Sequence, residues 1–280
     1  MKFTPVSEHV GAEVSDIDLR SLDDDDIGEL DDAWCRYGVL LFRGQDLSPD
    51  QHIAFAERFA DIDVNKFFQA VDGYPQIAQV LKEPDQQANI GGGWHTDHSY
   101  DRAPARGSIL LAREVPPSGG DTRFLSVAAA YDGLSDGLKA TLKDLRAVHS
   151  NEHVFGAETL AMRAMGNRLG GSEQVGSTDH PVVVAHPTTG QPLLYVNMGF
   201  TTHFAGWTRE ESKPLLDYLI EQLLKEEYAY QFRWEPGSIA MWDNRSTWHW
   251  ALNDYHGHRR LMHRITIAGV PLEPYVPAAA

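Results

Sequence analysis

"GGGWHTDHSY" occupies residues 91–100. Three glycines run into a tryptophan, and His95, Thr96, Asp97 and His98 follow at once. A polar turn with solvated imidazoles accounts for a lone H-x-D. That is the better reading of the motif alone; half of a metal site is the competing one. The residues on either side have to decide, and the frame they build comes with the decision.

Working outward, short apolar runs alternate with turn chemistry. "QIAQVLKE" (76–83) and "GSILLARE" (107–114) flank the loop and read as strands, and "VLLFRG" (39–44) reads as a third. "VVVAHP" (182–187) and "PLLYVN" (192–197) read as a hairpin across "TTGQ". "YAYQFRWEPGSIAMWDN" and "LMHRITIAGV" supply further strands. Helices are expected over 23–38, which opens with acids; over 47–61, with Ser48 as N-cap and Pro49 in the first turn; over much of 126–145; and over 208–227, with a capping box from Thr208 to Glu211. Residues 156–179 are rich in glycine and small side chains and read as a mobile, lid-like insertion. The pattern is α+β, built on a β-sandwich or jelly roll within a single domain, residues 1–280.

Composition narrows the partners. Of 280 residues 42% are hydrophobic, enough for a substantial core, and the formal net charge is −16. Nucleic acid and anionic membranes are repelled by such a chain. A small anionic substrate is not, because a few arginines set the field inside a pocket. Cys35 is the single cysteine, so no intrachain disulfide forms; among apolar neighbours it reads as a buried core thiol. There is no apolar leader segment and no run of about 18 apolar residues, so a cytoplasmic protein is expected. A homo-oligomer, dimer or tetramer, is also expected.

Far downstream, "WDNRSTWHWALNDYHGHRRLMHRITIAG" (242–269) supplies His249. Two histidines and one carboxylate on one face of an iron, the other face open, form the facial triad of non-haem Fe(II) oxygenases. Zinc prefers a closed tetrahedron and has no redox chemistry for O₂. Arg260 and Arg264 follow His249 by eleven and fifteen residues. Four apart on a strand, they share a face and can enter one cavity. Thr122, after "GGD", adds a hydroxyl, and an arginine with a hydroxyl suits a carboxylate.

With these residues in place the chain resembles the taurine dioxygenase family of Fe(II)/2-oxoglutarate-dependent oxygenases. The resemblance runs through "GAEVSDIDLRSL", "WHTD", "PPSGGDT", "HPTTGQPLLYVNMGFTT", "WDNRSTWHWA" and "RRLMHR" and covers nearly the whole length. "QHIAFAERF", "DGYP" and "HSNEHVFG" place it near the phenoxypropionate, or aryloxyalkanoate, branch. The resemblance implies a double-stranded β-helix (jelly roll) core with flanking helices. It implies Fe(II) held by His95, Asp97 and His249, with O₂ and 2-oxoglutarate as co-substrates. The far carboxylate of 2-oxoglutarate would meet Arg260 and Thr122, and Arg264 would meet an anionic group of the primary substrate.

Departures from the taurine pattern bear on that substrate. Asn65 stands where taurine enzymes carry a sulfonate-binding histidine, Phe68 replaces a tyrosine, and Gly91 replaces an asparagine near the amine. With Phe67 and Phe68 this suggests a roomier, more apolar pocket, and Phe200 is a candidate for its wall. An aryloxyalkanoate, alkyl sulfate or alkyl sulfonate fits such a pocket better than taurine, with C–O or C–S cleavage as an outcome. Taurine dioxygenase proper, or a non-catalytic metal- and ligand-binding jelly roll, is the alternative; a halogenase is disfavoured by Asp97. His98, His256, His258 and His263 are not expected as ligands, His98 because an extended segment turns it away from His95 and Asp97. Trp94, Trp242, Trp248 and Trp250 are expected to pack around the site.

Overall fold

Strands buried on both faces read as unbroken apolar runs, and their successive side chains enter two different cores. In the strand Gly107–Glu114, Ile109 and Leu111 join one buried cluster while Leu110 and Ala112 join another. In Ile239–Asp243, Ile239 and Met241 go to the first and Ala240 and Trp242 to the second. Val39–Phe42 divides in the same way.

The computed structural model of the chain describes residues 1–155 and 176–277. These form a mixed α/β structure of several mainly antiparallel sheets. The largest, of nine strands, runs in the order Lys2–Pro5, Ala12–Ser15, Val39–Phe42, Ile239–Asp243, Gly107–Glu114, Arg260–Ile267, Tyr74–Lys82, Ala70–Val71, with Ile62–Asp63 paired to Arg260–Ile267. Within it only Ala12–Ser15 and Val39–Phe42 are parallel. A three-stranded sheet runs Ala229–Phe232, Thr122–Ser126, Thr247–Ala251. Its Phe124 and Phe232 share a cluster with Leu110, Ala112, Trp242 and Met262, so the two sheets face each other. The far side of the large sheet is covered by the helices Asp24–Tyr37 and Pro49–Glu57, through Leu30, Trp34 and Phe55. Behind the small sheet, Leu125 and Trp248 pack with the helix Arg209–Leu223.

Helix ends follow the local chemistry. Asp23 and Asp26 form a capping box, and Gly38 closes that helix in the left-handed region at φ 72°. Ser48 and Thr208 cap their helices as the sequence suggests, with Gln51 and Glu211 reaching back. The helix expected across 126–145 is two helices, Val127–Asp132 and Asp136–Leu142. Gly133 ends the first, and the Ser135 hydroxyl accepts from the Leu138 amide to start the second. The hairpin forms between Val183–Ala185 and Pro192–Leu194. Of the insertion expected at 156–179, residues 156–175 lie outside the described residues. Residues 177–179 belong to the strand Ser177–Pro181, paired with Arg146–Ser150, because their backbone finds a partner there. Among the described residues no helix is long and apolar enough to cross a membrane.

Candidate active site

His249 lies in the middle of the strand Thr247–Ala251, opposite Phe124 in the small sheet. His95 belongs to no regular strand, yet its backbone is bridged to His249. The His95 amide donates to the His249 carbonyl at 3.1 Å and the His249 amide to the His95 carbonyl at 2.8 Å. Directly opposed residues in an antiparallel pair send their side chains to one face. The two rings lie 4.2 Å apart, centroid to centroid. Asp97, two residues on, returns to that face. Its Oδ1 is 3.6 Å from His95 Nε2 and its Oδ2 is 3.5 Å from His249 Nε2.

Protonation suits the cluster to a cation. His95 Nδ1 sits 2.8 Å from the Gly93 carbonyl. A carbonyl only accepts, so Nδ1 carries a proton and Nε2 is the nitrogen turned toward the cluster. Burial holds His249 well below the ordinary imidazole range, and the neighbouring His95 reinforces this, so the ring is neutral. Burial pushes the Asp97 carboxyl up, but the Arg264 guanidinium together with His249 and His95 outweighs it and holds the group well below the usual range. Two imidazole nitrogens and a carboxylate therefore converge, all within 4.8 Å of one another. Donors about 2.1 Å from a shared octahedral ion lie about 3 Å apart, so small movements fit this set to a divalent metal.

The cluster opens into a cavity of about 430 Å³ between the two sheets. One end is polar. Arg260 is 4% exposed there, and its Nε and Nη2 have no hydrogen-bond partner among the described residues. Burial lowers its pKa. Beside it, Thr122 Oγ1 accepts from Trp234 Nε1 at 2.9 Å. That bond fills an acceptor position and leaves the threonine's own O–H for another partner. A buried cation with two idle donors is costly unless an anion completes it. The other end is aromatic: Phe67, Tyr100 and Phe200 form a buried cluster with Phe68 and Val154 against it. Gly91, at φ 76°, lies beside the metal cluster. A Cβ there would stand 3.4 Å from His95 Cε1, in a conformation that side chains rarely adopt.

The structure brings together every residue singled out in the sequence, although two have more local work than expected. All of Asn65, Phe68, Gly91, His95, Asp97, Thr122, Phe200, His249, Arg260 and Arg264 line this cavity. Asn65 Oδ1 accepts from the amides of Phe67 and Phe68 at 2.8 and 2.9 Å. Its side chain builds the turn that presents the two phenylalanines. Arg264 Nη2 donates to Asp97 Oδ2 at 2.7 Å and Nε to Ser108 Oγ at 3.1 Å. It thus braces the carboxylate as well as facing the cavity.

His98 is a correction. It lies outside the cluster of three but faces the cavity, because φ 57° breaks the extended path on which the expectation rested. Its Nδ1 lies 3.3 Å from both Asp63 Oδ2 and Asp101 Oδ2. The nitrogen is aligned with neither, and the bridge is an ion pair shared between two acids. Burial opposes charge on the ring, but the two carboxylates outweigh it and raise His98 to about 9. His256 and His258 are exposed, and His263 Nδ1 takes the Arg113 Nε–H at 3.1 Å. Trp94 and Trp242 line the cavity, while Trp248 is core. Tyr100, Val80, Leu110 and Met198 also line it and were not singled out. No spacing rule points to them; "HSY" after the H-x-D is the only hint for Tyr100.

A second group, Cys35, His186 and Asp243, has metal-like proximity. Here Arg245 donates to both Asp243 oxygens, and His186 Nε2 lies 3.0 Å from Oδ2. His186 Nδ1 accepts from the amides of Thr188 and Thr189, which fixes the hairpin loop. The guanidinium occupies the place of a cation, so this is a structural network. Burial raises the Cys35 thiol, consistent with a core residue. Asp243→Ala strands Arg245 in the core and is expected to cost about 3–5 kcal/mol. A shift of the urea midpoint that size, at unchanged slope, is the expected reading; an unshifted midpoint contradicts it.

Comparison with known proteins agrees with this geometry. Residues 2–266 match the family model described as taurine catabolism dioxygenase TauD, TfdA family. An alkylsulfatase of Acinetobacter baylyi is 33% identical over 276 residues, covering 96% of this chain and 85% of the relative. An (S)-phenoxypropionate/alpha-ketoglutarate-dioxygenase of Sphingobium herbicidovorans is 33% identical, covering 96% and 95%. The crystal structure of a taurine dioxygenase from Burkholderia xenovorans superposes with a TM-score of 0.83 at 34% identity, covering 98% and 92%.

Proposed function

Since the chain belongs to the TauD, TfdA family and is an alpha-ketoglutarate-dependent dioxygenase, we propose that it hydroxylates a small anionic compound with an apolar body. An aryloxyalkanoate, alkyl sulfate or alkyl sulfonate is the class favoured. The two facing sheets are read as a double-stranded β-helix, with ferrous iron held by His95, Asp97 and His249. The observation that carries the reading is Arg260: a buried guanidinium with idle donors at one end of a cavity that has the His–Asp–His cluster on its wall.

Bound there with 2-oxoglutarate (alpha-ketoglutarate), iron supplies the oxidising chemistry that couples decarboxylation to succinate with hydroxylation of a C–H bond. The chain's own residues do the rest. Arg260 and the Thr122 hydroxyl hold the far carboxylate of the co-substrate. The Gly93 carbonyl fixes the His95 ring with Nε2 toward the cluster, and burial keeps His249 neutral. Arg264, with Nε and Nη2 already fixed by Ser108 and Asp97, turns its remaining Nη1 to the substrate anion. Phe67, Phe68 and Phe200 exclude water around the apolar body. Where the hydroxylated carbon bears oxygen or sulfur, the product collapses with C–O or C–S cleavage.

The first test is spectroscopic. Anaerobic Fe(II) with 2-oxoglutarate is expected to give a weak visible charge-transfer band, and a jelly roll without a co-substrate site gives none. The second is competitive: taurine is offered at equal concentration with hexyl sulfate and with 2-phenoxypropionate, and consumption is followed by mass spectrometry. Removing about 100 Å² of apolar surface from water is worth about 2.5 kcal/mol, close to two orders of magnitude in affinity. Taurine has no such surface, and its ammonium loses water without gaining a partner. Faster consumption of taurine removes the substrate part of the proposal and leaves the reaction class standing.

A further inference from the structure

The aromatic end of the cavity is held in place by residues that the reaction itself does not use. Asp63 ends the strand Ile62–Asp63, where it sits opposite Thr266, on the strand that carries Arg260 and Arg264. Immediately after it comes the turn that Asn65 builds, presenting Phe67 and Phe68. This wall leaves the large sheet after 62–63 and rejoins it at Gln69, whose carbonyl accepts from the Gln79 amide, and at Ala70–Val71, so residues 64–68 bridge two anchored ends.

Between those anchors it is also met by His98, on the loop that carries His95 and Asp97. The left-handed backbone at His98 swings the ring back over its own loop, where it stacks on Tyr100 at 5.8 Å and 24°. From there Nδ1 bridges Asp63 and Asp101 at 3.3 Å each. Tyr100 and Phe67 belong to one buried cluster with Phe200. Asp63 is therefore joined, through one imidazole, to the loop and the rings that form the opposite side of the aromatic pocket. Asp63 itself does not line the main cavity.

We propose that Asp63 is a positioning residue for substrate specificity: through His98 it holds the Asn65–Phe68 turn closed against the cavity and so fixes the shape of the apolar wall. This rests on the substrate reading given above, and it assigns to the wall a tie that acts at a distance from the substrate. The two acids on His98 have different duties. Asp101 belongs to the same loop as His98, so its bond is local. Asp63 belongs to the wall, so its bond joins two separate segments.

The test compares Asp63→Asn with Asp101→Asn in the full-length chain. Amide hydrogen exchange of residues 64–68 is followed by mass spectrometry without substrate. Steady-state constants are then taken on hexyl sulfate or 2-phenoxypropionate, whichever the parent consumes faster. Asp63→Asn is expected to speed exchange at 64–68 and to raise KM for the substrate about tenfold, the order expected when a wall shifts by a fraction of an ångström, with KM for 2-oxoglutarate nearly unchanged. Asp101→Asn is expected to stay near the parent in both. Unchanged exchange at 64–68 in Asp63→Asn overturns the proposal, and that arm needs no turnover, so it decides the matter even if neither compound is oxidised. Faster exchange with an unchanged substrate KM overturns the specificity role. Equal effects from the two variants also overturn it, because the charge on His98 and not the tie to the wall would then be at work. Parallel increases in both KM values would mark a general loss of structure and count against it too.

Discussion

Alanine at His95, Asp97 or His249, introduced singly, is expected to lower succinate formation by far more than about 100-fold, since even removal of an outer partner of a metal ligand costs about 10–100-fold. The three do not act alike on the fold. His95→Ala and His249→Ala remove imidazole rings, and their backbone bridge survives because it is made by main-chain groups. Asp97→Ala also leaves Arg264 buried without its carboxylate, which adds about 3–5 kcal/mol of destabilisation. Asp97→Asn keeps an acceptor for Arg264 Nη2 and is the cleaner probe. Anaerobic Fe(II) titration followed calorimetrically is expected to show weakened metal binding for all four variants, with circular dichroism near that of the parent for the two histidine variants. Normal succinate formation by any one of them removes that residue from the proposed ligand set.

Arg260→Ala is expected to raise KM for 2-oxoglutarate by about two to four orders of magnitude. The interaction removed is that of a buried carboxylate with a buried guanidinium, for which about 3–5 kcal/mol is the usual loss when one partner goes. Among the described residues lining the cavity the other guanidinium is Arg264, which is held by Asp97 and Ser108 and assigned to the primary substrate. Arg260→Lys is expected to recover only part of the loss, because a point ammonium cannot reproduce the planar fork. In the apoprotein the alanine variant is expected to be no less stable, and even slightly more so, because the parent buries a cation whose Nε and Nη2 lack partners among the described residues. An unchanged KM would show that another group holds the far carboxylate.

The sequence made the His–Asp–His cluster legible because its geometry is backbone geometry. H-x-D places two side chains on one face, and a strand places Arg260 and Arg264 on another single face; both survive as read. The double use of the large sheet was legible for the same reason, from runs such as Val39–Phe42. What escaped depends on turns and on side chains meeting across the chain. His98 takes a left-handed conformation that nothing in "HTDHSY" announces, since only glycine signals such a turn reliably. Asn65 occupies a position where a polar contact to substrate is reasonable, yet its carbonyl is consumed by two amides close along the chain. The pairing of Arg264 with Asp97 joins residues from separate motifs, and neither motif contains information about the other. The break at Gly133 was visible as a glycine but was outweighed by the helical composition around it.

The strand Arg260–Ile267 is, finally, a ruler. Four residues of extended chain span about 13 Å, and Arg260 and Arg264 stand at the two ends of that length with the His–Asp–His cluster lining the same cavity. If each holds one anion, the separation between co-substrate and substrate anions is set by backbone and does not stretch to suit the guest. The atom attacked is then chosen by its distance from the anion, not by the size of the tail. Lengthening an alkyl chain or decorating a ring changes how tightly a compound is held, while the position oxidised stays the same. On the proposed roles of the two arginines, regioselectivity would be a property of a β-strand, and changing it would call for moving an arginine along that strand by two residues, the smallest step that keeps it on the same face.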